Sequence, residues 1–478
     1  MALGRRNEPQ QGELWITTQQ LPTSPGHVFY DKLNRLLAEG KFDEWVEELC
    51  EPYYAKRGRP GIPPGVYFRM LVAGYFEGIG SQRGIAWRCS DSLSLRKFLG
   101  VAPTEDSPDH SSLSLIRGRL PLEVHKAVFV WVLKLAREKG LLNGETVGVD
   151  STTLEANAAM KSIVRRDTGE NWQAYVTGLM RDAGQVGPDE KPTIEEMKRF
   201  DKARKGKKVS NTDWESPADP DSRITKMKDG TTHLAYKAEQ TVDLDSEMIL
   251  SAEVYHADEG DAKTLEDTVQ IAQVNLQESG SAVHIQDVVA DKGYHSAETI
   301  TTFAEETSFR TYIPEPRQPV GQTRTWTDKP PGQRDAIYAN RRRTRGQRGK
   351  RLQRLRSERV ERSFAHVCET GGARRTWIRG IDEVNKRYVI SAMAHNLGRL
   401  MRELFGMGTP RGLQKAAEAL AALLCAMQLA LIAIWRVLRP SRSPISHFRR
   451  GSAVLRPVPR PAADWRRDHR KSSFSTGC

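Results

Sequence analysis

Very little in this sequence could act as a covalent or metal staple. Its five cysteines, Cys50, Cys89, Cys368, Cys425 and Cys478, are scattered, with no CxxC pair and no zinc-type spacing. That excludes a disulfide scaffold and a zinc centre, and the thiols read as reduced ones in a cytosol. An apolar leader is missing as well: the opening MALGRRNEPQQGELW is polar, which argues against a secretory signal. Long apolar runs are scarce. The best candidate, ALAALLCAMQLALIAIW over residues 419–435, is interrupted by Gln428 and falls short of the ~20 residues that a membrane span needs. It reads as a buried or oligomerising helix, and a membrane is not among the expected partners. No internal repeat is evident.

Positive charge, by contrast, is abundant. A net charge of +13 and a pI near 9.5 create a field that attracts polyanions, of which nucleic acid is the commonest. At 478 residues the chain exceeds what a single core supports and should hold two or three domains. Residues 1–25 form a polar arm. Residues 26–140 carry helical signals. In GIPPGVYFRMLVAGYFEGI the period puts Tyr67, Met70, Leu71, Gly74 and Tyr75 on one face after a Pro-Pro start. Val124, Ala127, Val128, Trp131, Val132 and Leu135 mark another helix, and EDSPDHSS offers Ser and Asp caps.

From residue 141 the period changes. GETVGVDSTTLEANA reads as a short strand that ends in Asp150, and VHIQDVVAD as a second that ends in Asp291. Between them, residues 161–228 turn polar and charged and read as a long insertion unable to bury a core of its own. THLAYKAEQTVDLDSEMILSAEVYHAD predicts a hairpin, and DAKTLEDTVQIAQVNLQES a helix after it. A basic linker covers about 315–356, where the stretch Arg341 to Arg356 holds nine Lys or Arg and no acid. So dense and unbalanced a run more often meets phosphate than forms a plain solvated face. The catalytic part reads as residues 141–405, followed over 406–478 by a helix and a basic, Pro-rich, disordered tail.

Asp150 and Asp291 at strand ends, with Glu358 and Glu361 on a basic helix, are a donor set suited to hard divalent cations, which take oxygen ligands and share them with phosphate. Each acid alone also has a bland reading, Asp150 as a helix N-cap and Asp291 as the first residue of a tight turn. On the helix, Val360, Phe364 and Val367 form the apolar stripe. Glu361 lies about 90° from its centre and Glu358 about 150°, so Glu361 flanks the buried face and Glu358 points to solvent. Tyr294 reads as a packed side chain and His295 as a surface one.

These blocks resemble the bacterial insertion-sequence transposases of the DDE type over most of residues 29–414. RMLVAGYFEGIGSQRGIAWRCSDSLSLRKFLG and SPDHSSLSLIRGRL resemble the helical N-terminal transposase domain, which the resemblance assigns to DNA binding. VGVDSTTLEANA, VVADKGYHS and RSERVERSFAHV resemble the segments that carry the three acids. The resemblance implies an α/β fold, an RNase H-like mixed sheet flanked by helices and preceded by an all-helical domain. It implies a catalytic and metal-binding triad of Asp150, Asp291 and Glu361, the VER pattern selecting Glu361. It further implies Mg²⁺, with Mn²⁺ able to substitute, cleavage at element ends, and strand transfer into target DNA. The partners implied are terminal inverted repeats, target DNA and a second copy of the chain, a dimer, in the bacterial cytoplasm at the nucleoid. Arg341, Arg342, Arg343, Arg345, Arg356, Arg359, Arg362, Arg374 and Arg375 are the candidate phosphate contacts. The Tyr, Arg and Lys that related enzymes carry around the Glu are replaced here by Arg354, Ser357 and Cys368. Two other readings stay open: a repurposed DNA-binding protein without catalysis, and a metal-dependent nuclease that cleaves without joining.

Overall fold

The computed structural model describes residues 17, 25–58, 61–204, 210–227, 230–316, 326–327, 329–411 and 427–429. The polar arm, much of the linker after residue 316, the 419–435 segment apart from 427–429, and the basic tail therefore lie outside the described residues. So do Cys425 and Cys478. Among the described residues no helix is long and apolar enough to cross a membrane.

Seven helices come first: α1 (Pro25–Glu39), α2 (Phe42–Cys50), α3 (Pro64–Glu77), α4 (Gln82–Asp91), α5 (Leu93–Leu99), α6 (His110–Arg119) and α7 (Leu122–Glu138). Local chemistry sets their ends. Ser81, Ser92 and Asp109 accept hydrogen bonds from backbone N–H groups of the first turns of α4, α5 and α6. Gly100 closes α5 in the left-handed conformation (φ 72°) that costs other residues a steric penalty. The sequence pattern assigns α3 one apolar face, yet it is buried on nearly all sides, with Phe68, Val72, Ala73 and Phe76 as covered as Tyr67 and Met70. The reason is that α3 is the central helix of this part, and even Arg69 is enclosed, paired with Asp43 at 2.6 Å.

A mixed sheet follows. Its strands are β1 (Thr146–Glu155), β4 (Arg223–Lys226), β5 (Thr232–Asp243), β6 (Ile249–His256), β7 (Asp287–Val289) and β8 (Arg310–Tyr312), while β2 (Val164–Arg165) and β3 (Trp214–Glu215) pair separately. The order is β6-β5-β1-β7-β8, with β4 also on β5. β5 runs antiparallel to β1 and β6, so the DLDSE turn makes a hairpin as its sequence predicts. β7 is parallel to β1, and that requires a crossover element. α10 (Asp261–Glu278) supplies it. β8, reached through α11 (Ala297–Glu306), extends the parallel side. α13 (Gln347–Phe364) lies on one face of the sheet. It is joined to α14 (Ile381–Phe405) through Gln240, which accepts from Ser363 Oγ at 2.7 Å and donates to Tyr388 OH at 2.6 Å. α10 lies on the other face, where Thr264 Oγ1 donates to Glu239 at 2.7 Å. The architecture is the expected one, an RNase H-like mixed sheet flanked by helices with a helical region before it. One apolar core runs through both, from Phe29 and Tyr67 to Val149, Val289 and Leu397.

Two polar stretches are more ordered than their composition predicts. The insertion after β1 folds α8 (Trp172–Asp182) against α9 (Ile194–Ala203), with Val176, Met180 and Met197 buried between them. These residues recur at helical spacing, so a few apolar side chains close a small cluster beneath a charged exterior. The basic stretch divides into α12 (Gln333–Arg345) and α13, separated at Gly346.

Inside this fold His125 accepts from Tyr67 OH through Nε2 and donates from Nδ1 to Pro121 O, which suits the neutral ring. Burial pulls its pKa down to about 4, and that of His395 to about 3. Both folded values lie below the ~6.5 of a free imidazole, so the unfolded chain binds more protons between them. Stability is therefore complete above about pH 6.5 and falls as the pH drops towards 4, by about 3 kcal/mol at pH 4 for His125 alone. Thermal melts across pH 4–7 should show a falling Tm, and His125→Gln should flatten that dependence.

Candidate active site

Asp150 does not end its strand. Ser151–Glu155 continue β1 by pairing with Glu239–Ala235 of β5, so Asp150 sits in mid-strand, and its helix N-cap reading falls away. The strand continues because β5 is long enough to pair along its whole length. Asp291 does follow its strand, two residues after Val289, and its Oδ1 accepts from Gly293 N at 2.6 Å in a tight turn. β1 and β7 pair in parallel with Gly148 opposite Val289. That register, carried two residues on, sets Asp150 level with Asp291 on the neighbouring strand, a spacing of about 4.8 Å between strand axes. Burial pushes the Asp150 carboxyl above the usual aspartate range. Arg356 opposes the shift, and the charge of Asp291 adds to it.

α13 reaches this point because Gly148 has no side chain. A Cβ there would lie 2.7 Å from Leu244, 2.9 Å from Val360 and 3.0 Å from Arg356. The close approach lets Arg356 Nη1 donate to Asp150 Oδ2 at 2.7 Å. Further along, Gln353 donates to the carbonyls of Ala290 and Tyr312 and ties α13 to the ends of β7 and β8.

Glu361 stands apart from the two aspartates. It is exposed and accepts from Ser357 Oγ at 2.9 Å. Arg359 and Arg362 reach Asp245 O and Glu247 at the β5–β6 turn, so they mark the flank of α13 that faces that turn. At 100° per residue, Ser357 and Glu361 lie on the flank opposite Arg359. Glu358 is exposed and paired with Arg362. Among the described residues no three His, Cys, Asp or Glu side chains stand together as a metal site. Two of the three acids are thus side by side and the third is on the adjoining helix. The chemistry of the paired aspartates fits a cation, and the Arg356 guanidinium already lies against one of them.

Asp261, at the start of α10, escapes the sequence reading. Its Oδ1 accepts from Ser151 Oγ at 3.0 Å and meets Lys237 Nζ at 3.0 Å. Gly293 lies between it and Asp291: a Cβ there would be 2.9 Å from Asp291 Oδ1 and 3.1 Å from Asp261 Oδ2. Lys237 is buried and also pairs with Glu239, whose carboxyl burial pushes upward. The signal is present in KAEQT, where Lys237, Glu239 and Thr241 fall at alternate positions and so on one face of the strand. Tyr294 is fully buried, as expected of a packed residue. The His295 side chain is only 5% exposed and faces Glu315 at 3.9 Å, so it is not the surface residue the sequence suggests.

The candidate phosphate contacts separate into two groups. Arg341 is held by Glu315, Arg343 by Thr311, Arg356 by Asp150, Arg359 by the β5–β6 turn, Arg362 by Glu247 and Glu358, and Arg374 by Glu369 and Thr152. Arg342 and Arg345 have no acidic partner among the described residues, and neither do Lys350, Arg351 and Arg354 of the same run. Arg375 is loosely placed, 3.8 Å from Glu155 and 5.2 Å above the Trp377 ring.

A family model described as Transposase domain (DUF772) matches residues 18–119, and one described as Transposase DDE domain matches residues 203–397. Together they take in well over half of the chain. The second includes Asp291 and Glu361 and begins after Asp150. No curated protein and no solved structure matches the chain.

The contact across Gly148 is open to test. Gly148→Ala should push α13 away from β1 and cost about 1–3 kcal/mol, the usual penalty of overpacking, read as a lower Tm. An unchanged Tm would mean that the helix has slack at this point.

Proposed function

The chain belongs to the transposases of the DDE type, enzymes of DNA transposition, and we propose that it cleaves DNA at element ends and joins them to target DNA through Asp150, Asp291 and Glu361. What carries the reading is the parallel register of β1 and β7, which sets Asp150 beside Asp291 just past the end of β7, in a chain matched by two transposase domains. The family generally uses a divalent metal. Asp150 and Asp291 would hold Mg²⁺, with Mn²⁺ as a substitute, and Glu361 would join them by turning across the flank of α13. When bound, the metal supplies Lewis-acid stabilisation of charge on the phosphoryl oxygens and a nucleophile at neutral pH.

The protein's own groups prepare that chemistry. Arg356 opposes the effect of burial on Asp150 and so favours the ionised carboxylate, which a metal ligand must be. Ser151 N and Gly293 N donate to Asp150 and Asp291 and fix the direction of each carboxylate. The cations of α12 and α13 that meet no acid among the described residues supply the sequence-independent grip on phosphates. The helical region binds the inverted repeats, two element ends call for two copies, and the reaction takes place in the cytoplasm at the nucleoid.

Asp150→Asn, Asp291→Asn and Glu361→Gln should each lower metal-dependent end cleavage at least about 100-fold, roughly 2.7 kcal/mol of barrier. DNA affinity measured in EDTA should hold, and Glu358→Gln should cleave normally. Full activity in any of the three removes that residue from the set. Cleavage without joining in a strand-transfer assay would make the chain a nuclease instead. Affinity should also fall steeply as salt rises, and replacing Arg351 and Arg354 together by Ala should lower the slope of log K against log salt by about two. An unchanged slope would place the DNA elsewhere.

A further inference from the structure

Beyond Phe364 the chain leaves α13 through a π-helical turn, Ala365–Thr370. Such turns are rare and gather at functional sites. This one walls a cavity of about 220 Å³ that it shares with α3, the second half of α14 and residues 408–409. The cavity is lined by His366, His395, Arg399 and Arg402, and by no carboxylate. The two imidazole rings lie 5.5 Å apart. Paired imidazoles suit a metal cation, but two arginines on the same wall would repel one. The lining instead suits an anion.

The charge around the cavity is incompletely answered. Glu247, at the β5–β6 turn, is shared by three arginines: Arg362 at 2.9 Å, Arg399 at 3.7 Å and Arg359 at 4.0 Å. Arg399 also meets Glu403 at 3.1 Å, yet its Nε is buried and finds no acceptor among the described residues. A buried donor left without a partner carries a cost that an acceptor in the cavity would remove. Arg402 is exposed and meets no acid among the described residues. His366 faces Arg402 and Arg399 of α14, Arg362 of α13, the His395 ring and Glu247. Burial, with the arginines adding to it and Glu247 opposing it, holds the His366 imidazole below its ordinary range. That ring is therefore neutral at pH 7. Size narrows the ligand. The volume is the share of about seven waters, enough for a tetrahedral oxyanion and the water around it. The base and sugar of a nucleotide would not fit beside them.

We propose that this cavity binds one free tetrahedral oxyanion of the phosphate and sulfate class, held by Arg399, Arg402 and His366. The bound anion ties the turn that follows α13 to α14. Nothing in the assignment depends on DNA being the substrate. Binding draws a proton from solvent onto His366, because a charged ring donates to the anion and a neutral one answers none of its charge. The complex then holds more protons than the free protein. Affinity falls as the pH rises between the lowered pKa of the free ring and the raised one of the complex, by up to about tenfold per pH unit.

The test is calorimetric titration of the full chain with sulfate, whose charge is constant between about pH 5.5 and 8, at an ionic strength fixed with chloride. The parent should show one saturable site, from which inorganic phosphate displaces the sulfate. Arg402→Gln removes a charged donor and should weaken sulfate binding about 10- to 150-fold. Since that side chain is exposed, the variant should melt like the parent. His366→Gln should flatten the pH dependence. No saturable site, equal affinity in the parent and Arg402→Gln, or a pH slope that survives His366→Gln overturns the proposal. Sulfate binding unchanged in Arg402→Gln, with a DNA duplex bound more weakly by that variant, would assign the arginine to a DNA phosphate and overturn it too.

Discussion

The close approach of α13 to β1 across Gly148 is the constraint on which the site depends. With no side chain at that position, Val360 and Arg356 come into contact with the strand. Arg356 can then reach Asp150, and the far end of the helix can fasten onto Gln240 through Ser363. Everything that α13 contributes is set by this crossing: which arginines turn inward, which flank carries Glu361, and where the following segment meets the end of β1. The other side of the sheet has a matching device at Gly293, where the missing side chain leaves room for Asp261 and Asp291 together.

Charge is spent unevenly across the molecule. Many of the arginines in the basic run are structural, bound to carboxylates and carbonyls of the sheet and its turns, and they hold α12 and α13 in place. Arg341 on Glu315 and Arg348 on Asp287 are examples. A cation already paired inside the protein gains little by moving to a phosphate, since the acid it leaves behind would be stranded. The field that a polyanion meets comes from the remainder, Arg342, Arg345, Lys350, Arg351 and Arg354, which project from two consecutive helices. Net charge alone overstates that surface.

The helical region is built into the same core as the sheet. α14 packs against α7, α3 and β6, and Arg117 of α6 is paired with Glu383 of α14. The helical region and the sheet are therefore mechanically joined.

Local physics made much of this legible in the chain itself. Cap residues, helical periods and the DLDSE turn are short-range signals, and they placed α3, α6, α7, the β5–β6 hairpin and α10. The order of the blocks around Asp150, Asp291 and Glu361 carried the family. Only the tertiary structure decided the rest, because each remaining question turned on partners distant in sequence. That Asp150 lies in mid-strand follows from the length of β5, and that the polar insertion is ordered follows from a few apolar residues meeting across two helices. Asp261 and Lys237 joined the site because β5 and α10 pack together there, and Arg356 became a partner of Asp150 because Gly148 let the helix in. A sequence determines which groups are available and how each segment prefers to coil; which charges end side by side is settled by packing, where the cost of burying one without a partner selects the arrangement.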